Sequence, residues 1–382
     1  MVKNKLCAIV NLTENEDKLK PLTHLRPIAA LPFAGRYRIL DFYLSSISHA
    51  EIDSCALFIS ESGRAIYDHI RSGEAWNFDS RITGGIFTFS QQNWKLRHVR
   101  ERGSVDFYDN HRIFMDRSRA NYVFVSGSKF IANVDINAVF RHHLNSKADI
   151  TLVHRPVKIF RDVSDLEDYY VEVQADGQHI ELKPLNTLEQ GAKVSVNLNM
   201  YILSVETVNA IIDRAQAEGV YEELDALIQR YLGHYTANAF EYTGYAENIE
   251  TMDRYYSANM EMLDRTKYRS LFYTSQPVLT KTKNGVPTYY GLDSKVTESI
   301  LATGVRVDGQ VHRSIINRKV KVGANATIKE SIVFQDTVIE EGAQVEYAII
   351  DKSCVIEAGA KVIGSPDNII VIGKNTRVKA EQ

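Results

Sequence analysis

Short apolar runs alternate with longer stretches of helical spacing along the first 235 residues. Leu6–Val10, Ala56–Ser60, Tyr122–Ser126 and Ile150–His154 are rich in β-branched or aromatic side chains and bounded by polar or turn residues, which predicts buried strands. Between them, Ile39–Ser48 and Ile136–Leu144 carry apolar residues at the spacing of amphipathic helices. Val205–Gly219 and Val220–Leu232 predict two consecutive helices, the first stopped at Gly219. Strands alternating with helices imply an α/β domain built on a largely parallel sheet. Residues 240–290 read as a connecting segment with one helix, near Asp253–Asp264.

The last third follows another rule. Val305, Val322, Ile339 and Ile356 are 17 residues apart, and Ile372 follows after 16. Each is answered by an aliphatic residue six positions later: Val311, Ile328, Val345, Val362 and Val378. The pairs Ile315-Ile316, Ile332-Val333 and Ile349-Ile350 repeat with the same step, and glycines such as Gly323, Gly342 and Gly359 fall between them. A repeat of about 17–18 residues, three sides of about six, predicts a parallel β-helix of hexapeptide repeats, whose coils bury their aliphatics only against one another. Five coils are expected. A β-sandwich would have to place four starts at one fixed interval by accident. The predicted division is an α/β domain over 1–239, a connection over 240–290 and a β-helix over 291–382.

Composition narrows the functions. With 44% apolar and 24% charged residues the chain is no disordered segment, and 45 Lys+Arg against 48 Asp+Glu leave a net charge of −3, against a nucleic-acid binder. Cys7, Cys55 and Cys354 are too widely spaced for a disulfide framework or a zinc site, so buried thiols are expected. Leu6–Val10 is shorter than a signal peptide's apolar region and no run suits a membrane span, so a cytoplasmic location is expected. Residues 95–119 hold seven Lys or Arg interleaved with Glu101, Asp106, Asp109 and Asp116, as on a salt-bridged surface. His312 is the one histidine of the β-helix, which argues against an acyltransferase.

The segment Ala8–Ile52 carries a resemblance. Pro21-Leu22-Thr23, Arg26, Pro32-Phe33, Gly35, Tyr37-Arg38 and Asp41-Phe42 match, without a gap, the N-terminal core of bacterial glucose-1-phosphate adenylyltransferases, also called ADP-glucose pyrophosphorylases. His69-Ile70, Gly73 and Trp76, then Gly84-Gly85 and Gly103–Asp106, are similar to later motifs of that family. The resemblance implies a Rossmann-like nucleotidyltransferase domain with a mostly parallel sheet, followed by a left-handed parallel β-helix. It also implies a reaction in which a sugar phosphate attacks the α-phosphate of ATP and Mg²⁺ neutralises phosphate charge. That chemistry needs a glycine-rich cradle, cations on the phosphates and carboxylates on the metal.

This chain departs from the family at each of those points. Thr13–Lys18 replaces the glycine-rich loop with side chains, three of them acidic, that are expected to repel a triphosphate. Lys18 stands at the catalytic arginine, Ile28 at a lysine, and Ser128 and Asn248 at the two metal-binding aspartates. No catalytic or metal residue is therefore assigned. Lys183, in Leu182-Lys183-Pro184, aligns with the lysine that holds the sugar phosphate, and Arg36 with a segment that contributes to the activator-phosphate site. The resemblance thus points to the degenerate, GlgD-type regulatory branch, with little activity alone. It implies no cofactor of the chain's own, Mg²⁺ being used by a catalytic paralogue paired with it in a heterotetramer of glycogen synthesis. A homo-oligomer, a transferase rebuilt around Lys18 and Glu14, Glu16 or Asp17, and a stand-alone sugar-phosphate or nucleotide sensor stay open as alternatives.

Overall fold

The computed structural model describes residues 5–60, 63–78, 84–90 and 107–380. The basic residues Lys95, Arg97, Arg100 and Arg102 and the motif Gly103–Asp106 lie outside them. The chain packs as two compact units whose borders do not follow sequence order. One holds the residues up to Asn15, Phe42–Ala246 and Gln276–Leu279; the other holds Glu16–Asp41, Glu247–Ser275 and the chain from Thr280 onward. Residues 16–41, read from sequence as part of the α/β domain, thus pack with the β-helix.

The first unit is built on a mixed sheet. Its strands are β1 (Leu6–Leu12), β2 (Ser54–Ile59), β3 (Gly85–Ser90), β4 (Tyr122–Ser126), β5 (Ile150–Lys158), β6 (Tyr169–Val173), β7 (Ile180–Pro184), β8 (Lys193–Ser204) and β9 (Ala237–Glu241). The order is β7-β6-β8-β4-β1-β2-β3, with β5 pairing both β8 and β9. Strands β4, β1, β2 and β3 run parallel, whereas β8 is antiparallel to β4 and to β5. Central strands β1 and β2 are buried at every residue, the expected state of parallel strands covered on both faces. Helices over Ile136–Ser146, Val205–Ala217 and Leu224–Tyr231 cover the sheet's flanks.

Two helix expectations need correction. The segment from Val220 begins its helix only at Leu224, because Val220 still closes the end of the preceding helix and Glu223 is the residue that caps the next. Gly219 takes φ +70°, its N–H bonds the Gln216 carbonyl, and the Val220 N–H reaches back to Ala215. That is a Schellman ending, and its C-terminal residues cannot also start the next helix. The helix near 253–264 ends at Met260, continues as a 3₁₀ turn over Glu261–Leu263, and is followed by an unanticipated helix, Arg265–Phe272. Asp264 starts that helix by accepting the N–H groups of Thr266 and Lys267.

The second unit's β-helix has three parallel sheets of six, five and five short strands. Val307, Val322, Ile339, Ile356 and Val378 form one column by direct pairing. The expected starts at Val305 and Ile372 are displaced from it. Val305 precedes its column by two residues, and Ile372 pairs with Ile350 on another face. The last coil is lengthened by a turn bridged between Ser365 and Asn368, which postpones the column to Val378. Val378, expected to follow Val362, joins the first column opposite Ile356 instead, whereas the register Val311–Ile328–Val345–Val362 is present as predicted.

All three cysteines are free and buried. Among the described residues no helix is long and apolar enough to cross a membrane.

Candidate functional site

In an open parallel sheet, ligands bind beyond the carboxyl ends of strands where the winding direction reverses. Here the chain leaves β1 for β2 on one side and returns to β4 on the other, so the reversal lies between β1 and β4. Thr13-Glu14 continue β1 into that crevice and Gly127-Ser128 continue β4.

Glu14 turns inward there. Its Oε1 accepts the Ser128 backbone N–H at 2.7 Å, and its Oε2 accepts the Ser128 hydroxyl. Asp225 lies within the same buried group: Asn11 Nδ2 donates to its Oδ1 at 3.0 Å and Asn199 Nδ2 to its Oδ2 at 2.7 Å. Asn11 Oδ1 accepts both the N–H and the hydroxyl of Thr13, which starts the turn out of β1. Asn199 sits at φ +55° beside the register shift of β8, and Gln229 donates to its Oδ1 at 2.7 Å. Tyr43 binds both the carbonyl and the N–H of Phe130, fastening the turn after Ser128. Burial pushes the Glu14 carboxyl up to about 7, Asp225 adds to the shift, and the Ser128 hydrogen bonds and Lys129 oppose it. Lys129 itself is drawn into an ion pair with buried Asp168 at 2.6 Å.

In the other unit, Lys18 pairs with buried Glu250 at 2.9 Å. Asn248 is buried and its Oδ1 accepts the Glu250 N–H at 2.6 Å, so it shapes its own turn. Ile28 lies in a buried 3₁₀ turn, Ile28–Ala30. Arg36 is exposed, with its guanidinium 5.8 Å from the centre of the Tyr37 ring, and Tyr37 stacks on Phe272. The loop is held close to the β-helix because Gly35, at φ +74°, faces Ile300 and Ile315. Half-buried Arg318 lies within electrostatic reach of Arg36: burial lowers its guanidinium and Arg36 lowers it further, while Asp41 opposes. Lys283 is exposed over much of its surface. Desolvation of its ammonium, and then Arg318, Arg38, Lys281 and Lys352, lower it to about 8.

Lys183, on β7 of the first unit, forms an ion pair with Glu172 on β6, and that hydrogen bond raises its ammonium. Glu172 lines a groove of about 690 Å³ together with Lys158, Tyr170, Lys193 and Ser195.

Comparison with known proteins decides the family. Residues 16–265 match the nucleotidyl transferase model and residues 286–368 the "GlmU-like, C-terminal hexapeptide" model. The chain is similar to the glycogen biosynthesis protein GlgD of Geobacillus stearothermophilus, at 30% identity over 86% of this chain and 84% of that protein. It belongs to the nucleotidyl transferase family, in its GlgD branch. The GlgD of Bacillus subtilis (strain 168) is 29% identical over 86% of this chain and 84% of its own length. The glucose-1-phosphate adenylyltransferase of Clostridium novyi (strain NT) is 28% identical over 99% of this chain and 98% of its own.

Set against the transferase family, the residues at the two metal positions do not fit a magnesium ion. Ser128 donates its hydroxyl to Glu14 and the Asn248 side-chain oxygen accepts the Glu250 N–H, and neither residue is a carboxylate for a hard dication. Of the acidic loop, Glu14 is folded into the crevice onto Ser128. The sequence gives no sign of Asn11 and Asp225, which are ordinary polar residues until the fold gathers them with Asn199. Sequence reading also passed over Arg318 and Lys352. The 17-residue step could have found this pair, since the register places them at one corner two coils apart.

Proposed function

We propose that this chain is a non-catalytic regulatory subunit of glucose-1-phosphate adenylyltransferase, cytoplasmic, and paired with a catalytic paralogue in a heterotetramer of glycogen synthesis. The observation that carries this reading is the Lys18–Glu250 ion pair. A transferase needs uncommitted positive charge where its catalytic arginine stands, and here the one cation at that position is matched by a buried carboxylate. Ile28, Ser128 and Asn248 point the same way, because each is satisfied inside its own unit. On this reading the chain holds no Mg²⁺ itself, and Lys183 keeps at most a part in sugar-phosphate contact, since it must first leave Glu172.

What remains for the chain is regulation. The cations Arg36, Arg38, Lys283 and Arg318 suit an effector anion, because like charges brought together gain most from a shared counter-ion. A subunit that prefers the partner's active state by about 1.4 kcal/mol would shift that state tenfold. The test is pyrophosphate release from ATP, glucose-1-phosphate and Mg²⁺ by the pure chain, then by a catalytic homologue titrated with it. Silence alone, with a mixed tetramer of changed rate or effector response, is the expected result. Turnover of several per second by the pure chain, or no complex and no kinetic change at micromolar concentration, overturns the proposal.

A further inference from the structure

To a backbone N–H and a neighbouring hydroxyl, a carboxylate and a phosphate are interchangeable: each supplies anionic oxygens at hydrogen-bond distance. Ser128 offers such a donor pair at the carboxyl end of β4, at the point of the sheet where anionic ligands are ordinarily received, and both donors are spent on Glu14. We propose that Glu14 is a built-in competitor, whose carboxylate fills the oxyanion position of the crevice and excludes the phosphates of a nucleotide until that side chain is cut back. The inference rests on the non-catalytic reading in one respect: a crevice closed from within need not turn over.

Three observations carry it. Both carboxylate oxygens are engaged, so Glu14 is seated and not merely adjacent. It is seated close against the backbone at Gly127, where a Cβ would collide with Glu14 Oε1 and with Asn199 Nδ2 and force those side chains to shift. The remaining charges do not invite a second anion while Glu14 stays. Asp225 is held in place by Asn11 and Asn199, Lys129 is committed to Asp168, and Tyr43 is committed to Phe130. An incoming phosphate would meet two carboxylates and no uncommitted donor on Ser128. With Glu14 removed it would meet one carboxylate, already bonded to two amides, and a released donor pair.

The experiment titrates ATP, without metal and at about pH 8 where Glu14 is ionised, into the full-length wild type and the variants Glu14→Ala, Glu14→Gln and Glu14→Ala/Ser128→Ala, with folding checked by thermal unfolding. Gln fills the same space and keeps an acceptor oxygen, so E14Q should behave like the wild type. E14A should bind ATP about tenfold or more tighter, and the added Ser128→Ala should remove that gain. If E14A proves too unstable to titrate, acetate, which can refill the vacated donors, should raise its unfolding midpoint and leave the wild type unchanged. A folded E14A that binds ATP no better than the wild type, a gain that survives Ser128→Ala, or an equal acetate response in both proteins overturns the proposal. Failure of the non-catalytic reading looks different: the wild type would then form ADP-glucose when given glucose-1-phosphate and Mg²⁺, whatever E14A does in the metal-free ATP titration.

Discussion

Arg26 and Asp351 are separated by 325 residues, yet their side chains meet at 2.5 Å with only 11% and 2% of their surfaces exposed. The Arg26 Nε also donates to the Leu22 carbonyl, and its guanidinium lies over the Phe334 ring. Asp351 Oδ1 in turn accepts the Lys352 N–H. A matched motif residue of the N-terminal segment is thus fastened to a coil of the β-helix, within one packed unit.

Removing one partner of a buried pair strands the other charge and typically costs about 3–5 kcal/mol, whereas an apolar pair of similar volume is often neutral. Asp351→Ala is therefore expected to lower stability by about 3 kcal/mol, with Arg26→Met/Asp351→Leu recovering most of it. Denaturant midpoints of the two variants check this. A cost below about 0.5 kcal/mol for the single variant would show that the pair contributes nothing.

Restoring one family carboxylate should harm the fold before it helps any chemistry. Ser128→Asp replaces the hydroxyl donor to Glu14 with a second acid beside Asp225. A lower melting temperature than the wild type is expected, relieved when Glu14→Ala is added. Calorimetric Mg²⁺ titration should show binding, if anywhere, only in the combined variant. A stable S128D single variant that binds Mg²⁺ would contradict this account of the crevice.

Glu14 should leave a mark on the pH dependence of stability. Its carboxyl lies near 4.5 as a free side chain and is raised to about 7 in the fold, chiefly by burial. Between those values the folded chain keeps a proton that the unfolded chain has lost, so the group's favourable contribution is complete below about pH 4.5 and declines as pH rises to about 7. The span amounts to roughly 3 kcal/mol. His143, whose burial lowers its imidazole to about 4, has the opposite sign below pH 6.5, so the wild type must be compared with Glu14→Gln. The stability difference between the two proteins should change across pH 4.5–7 and be flat above it. A difference independent of pH would remove Glu14 from the titration.

The crowded cations predict anion binding. Inorganic phosphate should raise the unfolding temperature of the wild type, and Arg318→Ala should weaken that response about tenfold in phosphate concentration. The estimate follows from loss of a charge-assisted hydrogen bond of roughly 1.5–3 kcal/mol. Added chloride should blunt the effect. An identical phosphate response in R318A would place the anion elsewhere.

Much of the fold was legible because its signals are local. The strands at Leu6, Ser54, Tyr122 and Ile150 lie where apolar runs predicted them, since a strand buried on both faces must be a continuous apolar run. The β-helix was legible because each coil meets only its neighbours, which imposes one step on contiguous sequence. Register failed at Val305 and Ile372, where a coil of different length breaks that step without breaking the aliphatic spacing.

By itself, then, the sequence determined the two architectures and the side chains at the positions aligned with the family's catalytic and metal residues: Lys18, Ile28, Ser128 and Asn248, none of them an arginine or a carboxylate. Only the tertiary structure decided where the charges of the site go. Glu14 faces Ser128, Lys18 is matched by Glu250, Arg26 by Asp351, and Arg36 shares its field with Arg318. The reason is physical. Periodicity is a property of neighbouring residues, set by backbone geometry. A buried charge takes whichever counter-charge or donor the fold brings within a few ångströms, and pairs 114, 232 and 325 residues apart leave no local trace of that choice.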